Sequence, residues 1–345
     1  MARYDLTPSD VAALLRDEPA YRARQVWDGL YRQGVGPEQL TTLPRHLRKR
    51  LAAETALAPA LRLDAEVGGD EGSTVKWRWA LHDGRMVETV LMHYPGRTTG
   101  CVSSQAGCAM ACGFCATGQA GFERNLTTGE IVEQVVRAAA AARQKGRRLS
   151  NVVFMGMGEP LANYDRVWAA VERLHADVGL SARHITISTI GIVPGIRRLA
   201  AEALPVNLAV SLHAADDALR DDLVPVNRRY PLAALLEACR AWVGAKGRRL
   251  SFEWALIDGV NDRPADAARL AELARSVRAH VNVIPLNPTP AYVTRGTPAG
   301  GVRAFADLLR SLGVNTTVRR NRGTDIDAAC GQLAARAALL PDATD

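Results

Sequence analysis

Short apolar segments alternate with helical segments through most of this chain. Six of them have strand-like sequences, at residues 100–104, 152–155, 184–188, 206–212, 250–256 and 281–285. Strands that alternate with helices form parallel βα units, and eight such units close a TIM barrel. Because only about six units are present, we predict an α/β fold with a partial, open TIM-type barrel. Functional residues in such folds gather where the strands end.

The first sixty residues have a different pattern. Thr7-Pro8-Ser9-Asp10 is a helix-capping signal, and apolar residues recur at helical spacing as far as residue 57. We therefore predict a helical accessory domain over residues 1–60. Several basic residues stud it, namely Arg22, Arg24, Arg48, Lys49 and Arg50. They form either a solvated face or a face that docks on RNA.

The segment that follows changes to a period of two residues. Residues 75–81 and 86–91 alternate in polarity and flank an Asp83-Gly84 turn, which is the pattern of a β-hairpin. We assign residues 61–95 to this connector and residues 96–345 to the barrel and its C-terminal segment.

Composition restricts the class of protein. The 345 residues are 48% hydrophobic with a mean hydropathy of −0.07, which excludes a disordered chain. No apolar run approaches the roughly 18 residues of a membrane span, and the first residues lack a secretory apolar segment. We expect a cytoplasmic protein with no membrane partner. A net charge of +7 suits an acidic partner such as nucleic acid without identifying one.

Three of the six cysteines stand together in one short loop after the first barrel strand, at Cys108, Cys112 and Cys115. A structural zinc site usually takes four ligands, whereas three thiolates leave one position open. This spacing, with Phe114 before the last cysteine, resembles the radical S-adenosylmethionine (SAM) superfamily. The resemblance implies a 4Fe-4S cluster whose fourth iron binds SAM. A structural zinc site and a buried thiol trio are the alternatives.

Longer motifs narrow the resemblance. They are CVSSQAGC at 101–108, GMGEP at 156–160, STIG at 188–191, SLH at 211–213, IPLNP at 284–288 and RGTDIDAACG at 322–331. Together they resemble the RlmN/Cfr family of RNA adenine methyltransferases. The resemblance implies methylation of C2 of an adenine in the peptidyl transferase centre of 23S ribosomal RNA and of an adenine in some transfer RNAs, with two SAM molecules per methylation.

Two alternatives remain open at this stage. The Cfr branch methylates adenine C8 with the same cysteines, although the full-length basic N-terminus and the Gly331-Gln332-Leu333 sequence favour the C2 branch. The other alternative is a non-catalytic RNA-binding protein whose fold is stabilised by an iron-sulfur cluster or by zinc. It leaves Cys101, Cys330, Gly158 and Glu159 without a role.

Adenine C2 is an electron-poor carbon that cannot attack a sulfonium methyl group, which excludes a one-step polar transfer. The resemblance implies that a cofactor-derived radical and a relay residue of the protein are used instead. By resemblance, Cys330 becomes S-methylcysteine and carries the carbon to the RNA. Cys101 is the resolving thiol, which forms a transient disulfide with Cys330. Glu88 is the proton acceptor, although an outward, solvated Glu88 is equally consistent with an alternating hairpin. An external electron donor and a disulfide reductant are implied.

Polar residues at strand ends are expected to form the SAM site. They are Gly158, Glu159, Ser188, Ser211, Leu212, His213 and Asn287. Each alone would be an ordinary strand-end residue, but successive strand ends outline one cofactor site. Arg319, Arg320 and Arg322 lie close to Cys330 in sequence, where they are either a solvated charge run or contacts for the phosphates that flank an extruded adenine.

Overall fold

The computed structural model describes residues 2–289, 291–292 and 294–334. Three α-helices open the chain: α1 (Pro8–Leu14), α2 (Tyr21–Asp28) and α3 (Arg45–Ala52). The predicted cap is present, because Thr7 Oγ1 accepts the Asp10 N–H at 3.2 Å and the Thr7 N–H bonds the Asp10 carboxylate. A π-helical turn, Gly29–Gln33, continues α2. The helical prediction for this segment is confirmed.

Twelve strands follow in the described part of the chain. They are β1 (Arg62–Gly69), β2 (Thr74–Ala80), β3 (Met86–Tyr94), β4 (Arg97–Cys101), β5 (Gln105–Gly107), β6 (Phe122–Asn125), β7 (Asn151–Phe154), β8 (Ile185–Thr189), β9 (Asn207–Ser211), β10 (Leu250–Leu256), β11 (His280–Pro285) and β12 (Thr316–Val318). Strands β5 and β6 pair with each other, and the other ten form one sheet in the order β1-β2-β3-β4-β7-β8-β9-β10-β11-β12.

The ten-stranded sheet is antiparallel from β1 to β4 and parallel from β4 onward. The six predicted barrel strands are all present, and the described sheet is an open α/β barrel as predicted. The prediction missed a seventh parallel strand, β12, because three residues with two threonines give no apolar strand signal.

The predicted hairpin is also present, as β2 and β3, but it is continuous with the barrel. Strand β3 pairs with β4 in the register Leu91 with Gly100, so the hairpin extends the barrel sheet at its first edge. Strand β1 adds a further antiparallel strand outside it, and most of its side chains are exposed or half-buried.

Eight helices cover the sheet in the described residues. They are α4 (Ala116–Ala120), α5 (Thr128–Gln144), α6 (Tyr164–Ala176), α7 (Val193–Ala201), α8 (Asp217–Leu223), α9 (Leu232–Lys246), α10 (Pro264–Ser276) and α11 (Ala299–Ser311). The predicted capping box of α5 is present: Thr127 and Glu130 bond each other's main-chain N–H groups. Among the described helices, none is both long enough and apolar enough to cross a membrane.

The N-terminal helices are packed onto the barrel. The Trp27 indole donates to Asp177 after α6 at 2.9 Å, and Asp5 accepts the Gly129 N–H at the start of α5 at 2.7 Å. One apolar core runs from Tyr4 in this segment to Leu333 near the end of the described chain. The helical segment and the barrel therefore share buried surface, and removing the first would expose the second.

Candidate active site

The three clustered cysteines lie in the loop between β5 and α4. The Cys108 N–H bonds the carbonyl of Gly121, which ties the start of the loop to the residue after α4, and the Cys115 N–H bonds the carbonyl of Cys112, which closes a turn within the loop. Gly107 has φ +71°, and a Cβ there would lie 1.9 Å from the Gly121 carbonyl oxygen. Glycine is therefore required where the chain enters the loop.

The three cysteines line one cavity of about 170 Å³ at the carboxyl ends of the parallel strands. Burial raises the pKa of the Cys108 thiol to about 12 and also raises the pKa of Cys112. All but one of the residues predicted for SAM line the same cavity, namely Gly158, Glu159, Ser188, Ser211, His213 and Asn287. The exception is Leu212, whose side chain is buried and whose N–H bonds the carbonyl of Glu253.

Glu159 connects the ends of two neighbouring strands. One carboxylate oxygen accepts the Leu161 N–H at 2.9 Å and the other accepts the Ile190 N–H at 2.8 Å. Burial raises the pKa of Glu159 to about 7, and these hydrogen bonds oppose the rise. The preceding Gly158 has φ +97° and passes against Gln105 too closely for a Cβ. A buried carboxylate of this kind can pair with an incoming ammonium group.

His213 presents a neutral ring to the cavity. Burial lowers the pKa of His213 to about 3, and Arg220 contributes to this decrease. Its Nδ1 accepts the Ala255 N–H at 3.0 Å, so the neutral ring carries its proton on Nε2. The ring packs edge to face with Phe114, with 4.7 Å between the ring centroids. His213 can therefore donate one hydrogen bond to a bound ligand.

The segment that carries Cys330 is docked onto the cysteine loop by main-chain carbonyls. Asn287 Nδ2 donates to the carbonyl of Cys330 at 3.0 Å. The Ala116 N–H donates to the carbonyl of Gly331 at 2.7 Å, and Thr117 Oγ1 donates to the carbonyl of Leu333. Both donors lie in the first turn of α4, directly after Cys115. The thiol of Cys330 is thereby held at the wall of the cavity that the three cysteines line.

A second cavity, of about 30 Å³, lies on the other side of Cys330. It is lined by both outlying thiols, Cys101 and Cys330, and by Arg319, which also lines the first cavity. Burial raises the pKa of the Cys101 thiol to about 12; the neighbouring Cys330 adds to the rise and Arg319 opposes it. The structure therefore brings together the two thiols that the sequence paired by resemblance.

Arg319 points inward beside these thiols. Its guanidinium lies 3.4 Å from the Glu253 carboxylate, and the nearby Cys330 raises the pKa of Arg319 above its ordinary value. Sequence reasoning missed Glu253, which is buried in β10 and also bonds Asn282 and Ser251. A glutamate inside the apolar strand sequence LSFEWAL was the available signal.

Glu88 is buried beneath the segment that follows Cys330. One carboxylate oxygen lies 3.2 Å from Lys76 Nζ, and the other accepts the Ala334 N–H at 3.1 Å. Lys76 Nζ also donates to the carbonyl of Asp327. The solvated orientation considered from the alternating pattern is wrong, because this face of β3 is covered by the C-terminal segment.

The other basic residues occupy two surfaces. Arg320 is exposed at the second cavity, and Arg322 bonds Ser73 Oγ at 2.8 Å while its guanidinium lies over the Tyr94 ring. In the helical segment, Arg50 pairs with Asp17 and Arg24 with Asp28. Within the described ion pairs, acidic partners thus neutralise part of this face.

The donor set fits an iron-sulfur cluster. No group of three or more His, Cys, Asp or Glu side chains in the described residues is arranged to hold one metal ion. A 4Fe-4S cluster bound by three cysteines places each thiolate on a different iron, so it requires thiols that line one cavity without converging on a point. Cys108, Cys112 and Cys115 do so, and Phe114 and Ile190 supply apolar surroundings.

Comparisons with known proteins agree with this geometry. Residues 102–271 match the model of the radical SAM superfamily. A radical SAM methyltransferase from Sphaerobacter thermophilus has the same fold, with a TM-score of 0.93 and 51% identity over 97% of this chain and all of that one.

Two relatives that align over most of their length have the same name. Proteins from Salinispora tropica and Mycobacterium bovis, each named as a probable dual-specificity RNA methyltransferase RlmN, are both 52% identical to this chain. The alignments cover 97% and 92% of this chain and 92% and 89% of the relatives, respectively. The chain belongs to the RlmN family of the radical SAM superfamily.

Proposed function

We propose that this protein is a radical SAM methyltransferase that places a methyl group on C2 of a specific adenine in the peptidyl transferase centre of 23S ribosomal RNA and on an adenine in some transfer RNAs. The observation that carries the proposal is the position of Cys330. Cys330 lines both the cavity of the three clustered cysteines and the smaller cavity that contains Cys101. One thiol at this junction can receive carbon on one side and be released by a second thiol on the other.

Cys108, Cys112 and Cys115 would hold the 4Fe-4S cluster. Glu159 would pair with the ammonium group of SAM, and Gly158, Ser188, Ser211 and His213 would surround the rest of the cofactor. Asn287 lines the same cavity, but both ends of its amide are bonded within the protein. When bound, these groups supply a methyl group and a carbon radical, with two SAM molecules used per methylation. An external electron donor belongs to the proposal.

Cys330 would act as the nucleophile that accepts a methyl group and becomes S-methylcysteine. The Arg319 guanidinium lies beside it, and the nearby Cys330 is the largest cause of the raised pKa of Arg319. Main-chain bonds from Asn287 and Ala116 fix the backbone on both sides of the sulfur. The carbon that Cys330 carries is thereby presented at one place.

Cys101 would release the product. Its thiolate attacks the sulfur of Cys330, an S–S bond forms, and the bond between that sulfur and the RNA-linked carbon breaks. The electron pair of the broken bond stays on that carbon, which takes up a proton to become the methyl group. Because burial raises the pKa of Cys101 to about 12, this thiol keeps its proton until a base removes it. An external reductant then restores both thiols. Glu88 would accept the proton lost from the adenine ring, since its carboxylate lies against the segment that follows Cys330.

RNA binding would use two basic surfaces: Arg320 and Arg322 near the second cavity, and Arg22, Arg24, Arg48, Lys49 and Arg50 on the helical segment. In this proposal residues 1–60 are the accessory RNA-binding domain, residues 61–95 the connector and residues 96–345 the catalytic barrel. Arg319 lines the second cavity beside Arg320 and Arg322, with its guanidinium 3.4 Å from the Glu253 carboxylate, and it is proposed as a phosphate contact with them. The protein would work in the cytoplasm, where both RNAs are found.

The test is anaerobic reconstitution followed by reaction with 23S ribosomal RNA fragments and transfer RNA. We expect about four irons per chain and 2-methyladenosine in the digested RNA by mass spectrometry. The names of the relatives favour C2, so 8-methyladenosine would place the chain in the Cfr branch. Methylation by a variant with alanine at Cys108, Cys112 and Cys115 would refute radical chemistry, and RNA binding without cleavage of SAM would indicate a protein without catalysis.

A further inference from the structure

Arg220 in α8 is fully buried, and no carboxylate of the described residues lies within ion-pair distance of it. Its guanidinium donates to the carbonyls of Ile190 at 2.6 Å, Leu212 at 3.1 Å and Ser211 at 3.4 Å, and to Asn227 Oδ1 at 2.7 Å. Burial lowers the pKa of Arg220 to about 10, so it still carries a positive charge at neutral pH. Asp217 and Asp221 act on Arg220 only from beyond ion-pair distance, so among the described residues no carboxylate in contact offsets the cost of burying this charge.

The carbonyls that Arg220 binds belong to the wall of the active-site cavity. Ile190 follows β8 and Ser211 ends β9, and both residues line that cavity. Ile190 also packs in one apolar cluster with Cys112, together with Leu223 and Val224 from the next turn after Arg220. The guanidinium therefore lies one layer of residues behind a thiol of the cysteine loop.

The backbone leaves room for the guanidinium at this point. Gly191 has φ +121°, and a Cβ there would lie 3.3 Å from Nη2 of Arg220. Asn227, which receives one guanidinium bond, is itself held by Asp217 at 2.9 Å and Asp221 at 2.7 Å.

We propose that Arg220 is the buried counter-charge of the iron-sulfur centre and also the residue that joins the ends of β8 and β9 at the cofactor cavity. The proposal rests on the ligand set proposed above. A cluster held by three thiolates becomes more negative when it is reduced, and a nearby positive charge in a poorly solvated site stabilises the reduced form. Arg220 therefore raises the reduction potential of the cluster toward that of its electron donor.

The experiment compares Arg220→Gln and Arg220→Lys in the full chain. The control is Arg228→Gln, because Arg228 is an exposed arginine directly after Asn227. Iron per chain and the reduction potential are measured by anaerobic redox titration. We expect a more negative potential in Arg220→Gln, a potential close to wild type in Arg220→Lys, and no change in the control. A wild-type potential in Arg220→Gln that holds its cluster would overturn the proposal.

A second variant decides the question if Arg220→Gln fails to assemble. Asp221→Asn leaves Arg220 in place but removes a negative charge from its surroundings, so the potential should shift in the positive direction. An unchanged or more negative potential would overturn the counter-charge role. A wild-type chain that binds no iron would instead contradict the proposed function.

Discussion

The Asn287 side chain holds the main-chain carbonyl of Cys330 at 3.0 Å, and its own Oδ1 accepts a hydrogen bond from Asn321 at 2.6 Å. Both ends of this amide are thus used within the protein. Although strand-end position favoured a cofactor contact, the geometry makes Asn287 a positioning residue for the reactive thiol. Hydrogen bonds of Asn287 therefore link the backbone of Cys330 to the residues that follow β11.

Asn287→Ala should slow methylation while leaving SAM affinity nearly unchanged. One lost hydrogen bond of about 1 kcal/mol corresponds to roughly a fivefold decrease in the rate. Single-turnover kinetics and SAM titration would separate the two quantities, with Asn207→Ala, at the start of β9, as the control. A large loss of SAM affinity with unchanged turnover would make Asn287 a cofactor ligand instead.

Alanine variants of the two outlying cysteines, Cys101 and Cys330, should stop the reaction at different steps. Cys330→Ala has no carbon carrier, so it should form no covalent adduct with RNA although its cluster site remains. Cys101→Ala should still be methylated at Cys330 and join to adenine, but it cannot release the product. Denaturing gels should show protein linked to RNA in Cys101→Ala alone, with Cys239→Ala as a buried-thiol control. A covalent complex from Cys330→Ala would overturn these roles.

Glu88→Gln should decrease turnover by about 10²-fold or more, as expected when a general base is lost. The amide keeps the size of the side chain and can still accept the Ala334 N–H. Cleavage of SAM should continue, so the ratio of cleavage to methylation is the informative measurement. Glu123→Gln, on the exposed strand β6, provides the control. If Glu88→Gln methylates at the wild-type rate, another group accepts the proton.

Glu159 should make the cofactor-free protein less stable as the pH rises. Its pKa is about 7 in the folded chain and near 4.5 when unfolded, so the folded state keeps a proton that the unfolded state loses. This contribution to the free energy of unfolding is fully present below about pH 4.5 and is lost as the pH rises through 7. The loss amounts to up to about 3 kcal/mol relative to Glu159→Gln. Unfolding of both proteins at pH 5, 6.5 and 8 measures the difference, and parallel pH profiles would contradict it.

Removing the charges of Arg48 and Lys49 on α3 should weaken RNA binding without affecting SAM cleavage. Two lost phosphate contacts would reduce the slope of log affinity against log salt by about 1.5. Arg240→Gln, an exposed arginine on α9, is the control because it lies outside the proposed RNA-binding surfaces. Point variants are preferable to deletion of residues 1–60, since those helices share the core with the barrel. An unchanged salt slope would identify the face as merely solvated.

Periodicity and capping signals in the sequence predicted the strands and helix ends that depend on neighbouring residues. The six apolar strands and the Thr127 to Glu130 cap follow from periodicity and capping, which act over a few residues. Strand β12 could not be predicted in this way, because its pairing with β11 depends on residues that are far away in sequence. The inward turn of Arg319 toward Glu253 has the same cause. Motifs predicted which cysteines matter, whereas the packing around them required the fold.

The docking of the Cys330 segment on α4 has a consequence for the assembly of the protein. Two carbonyls, of Gly331 and Leu333, find their donors in the residues immediately after Cys115. If the cysteine loop is not ordered, these carbonyls have no fixed partners and the reactive thiol has no fixed position. The position of Cys330, the proposed methyl carrier, therefore depends on the order of the loop that contains the proposed cluster ligands.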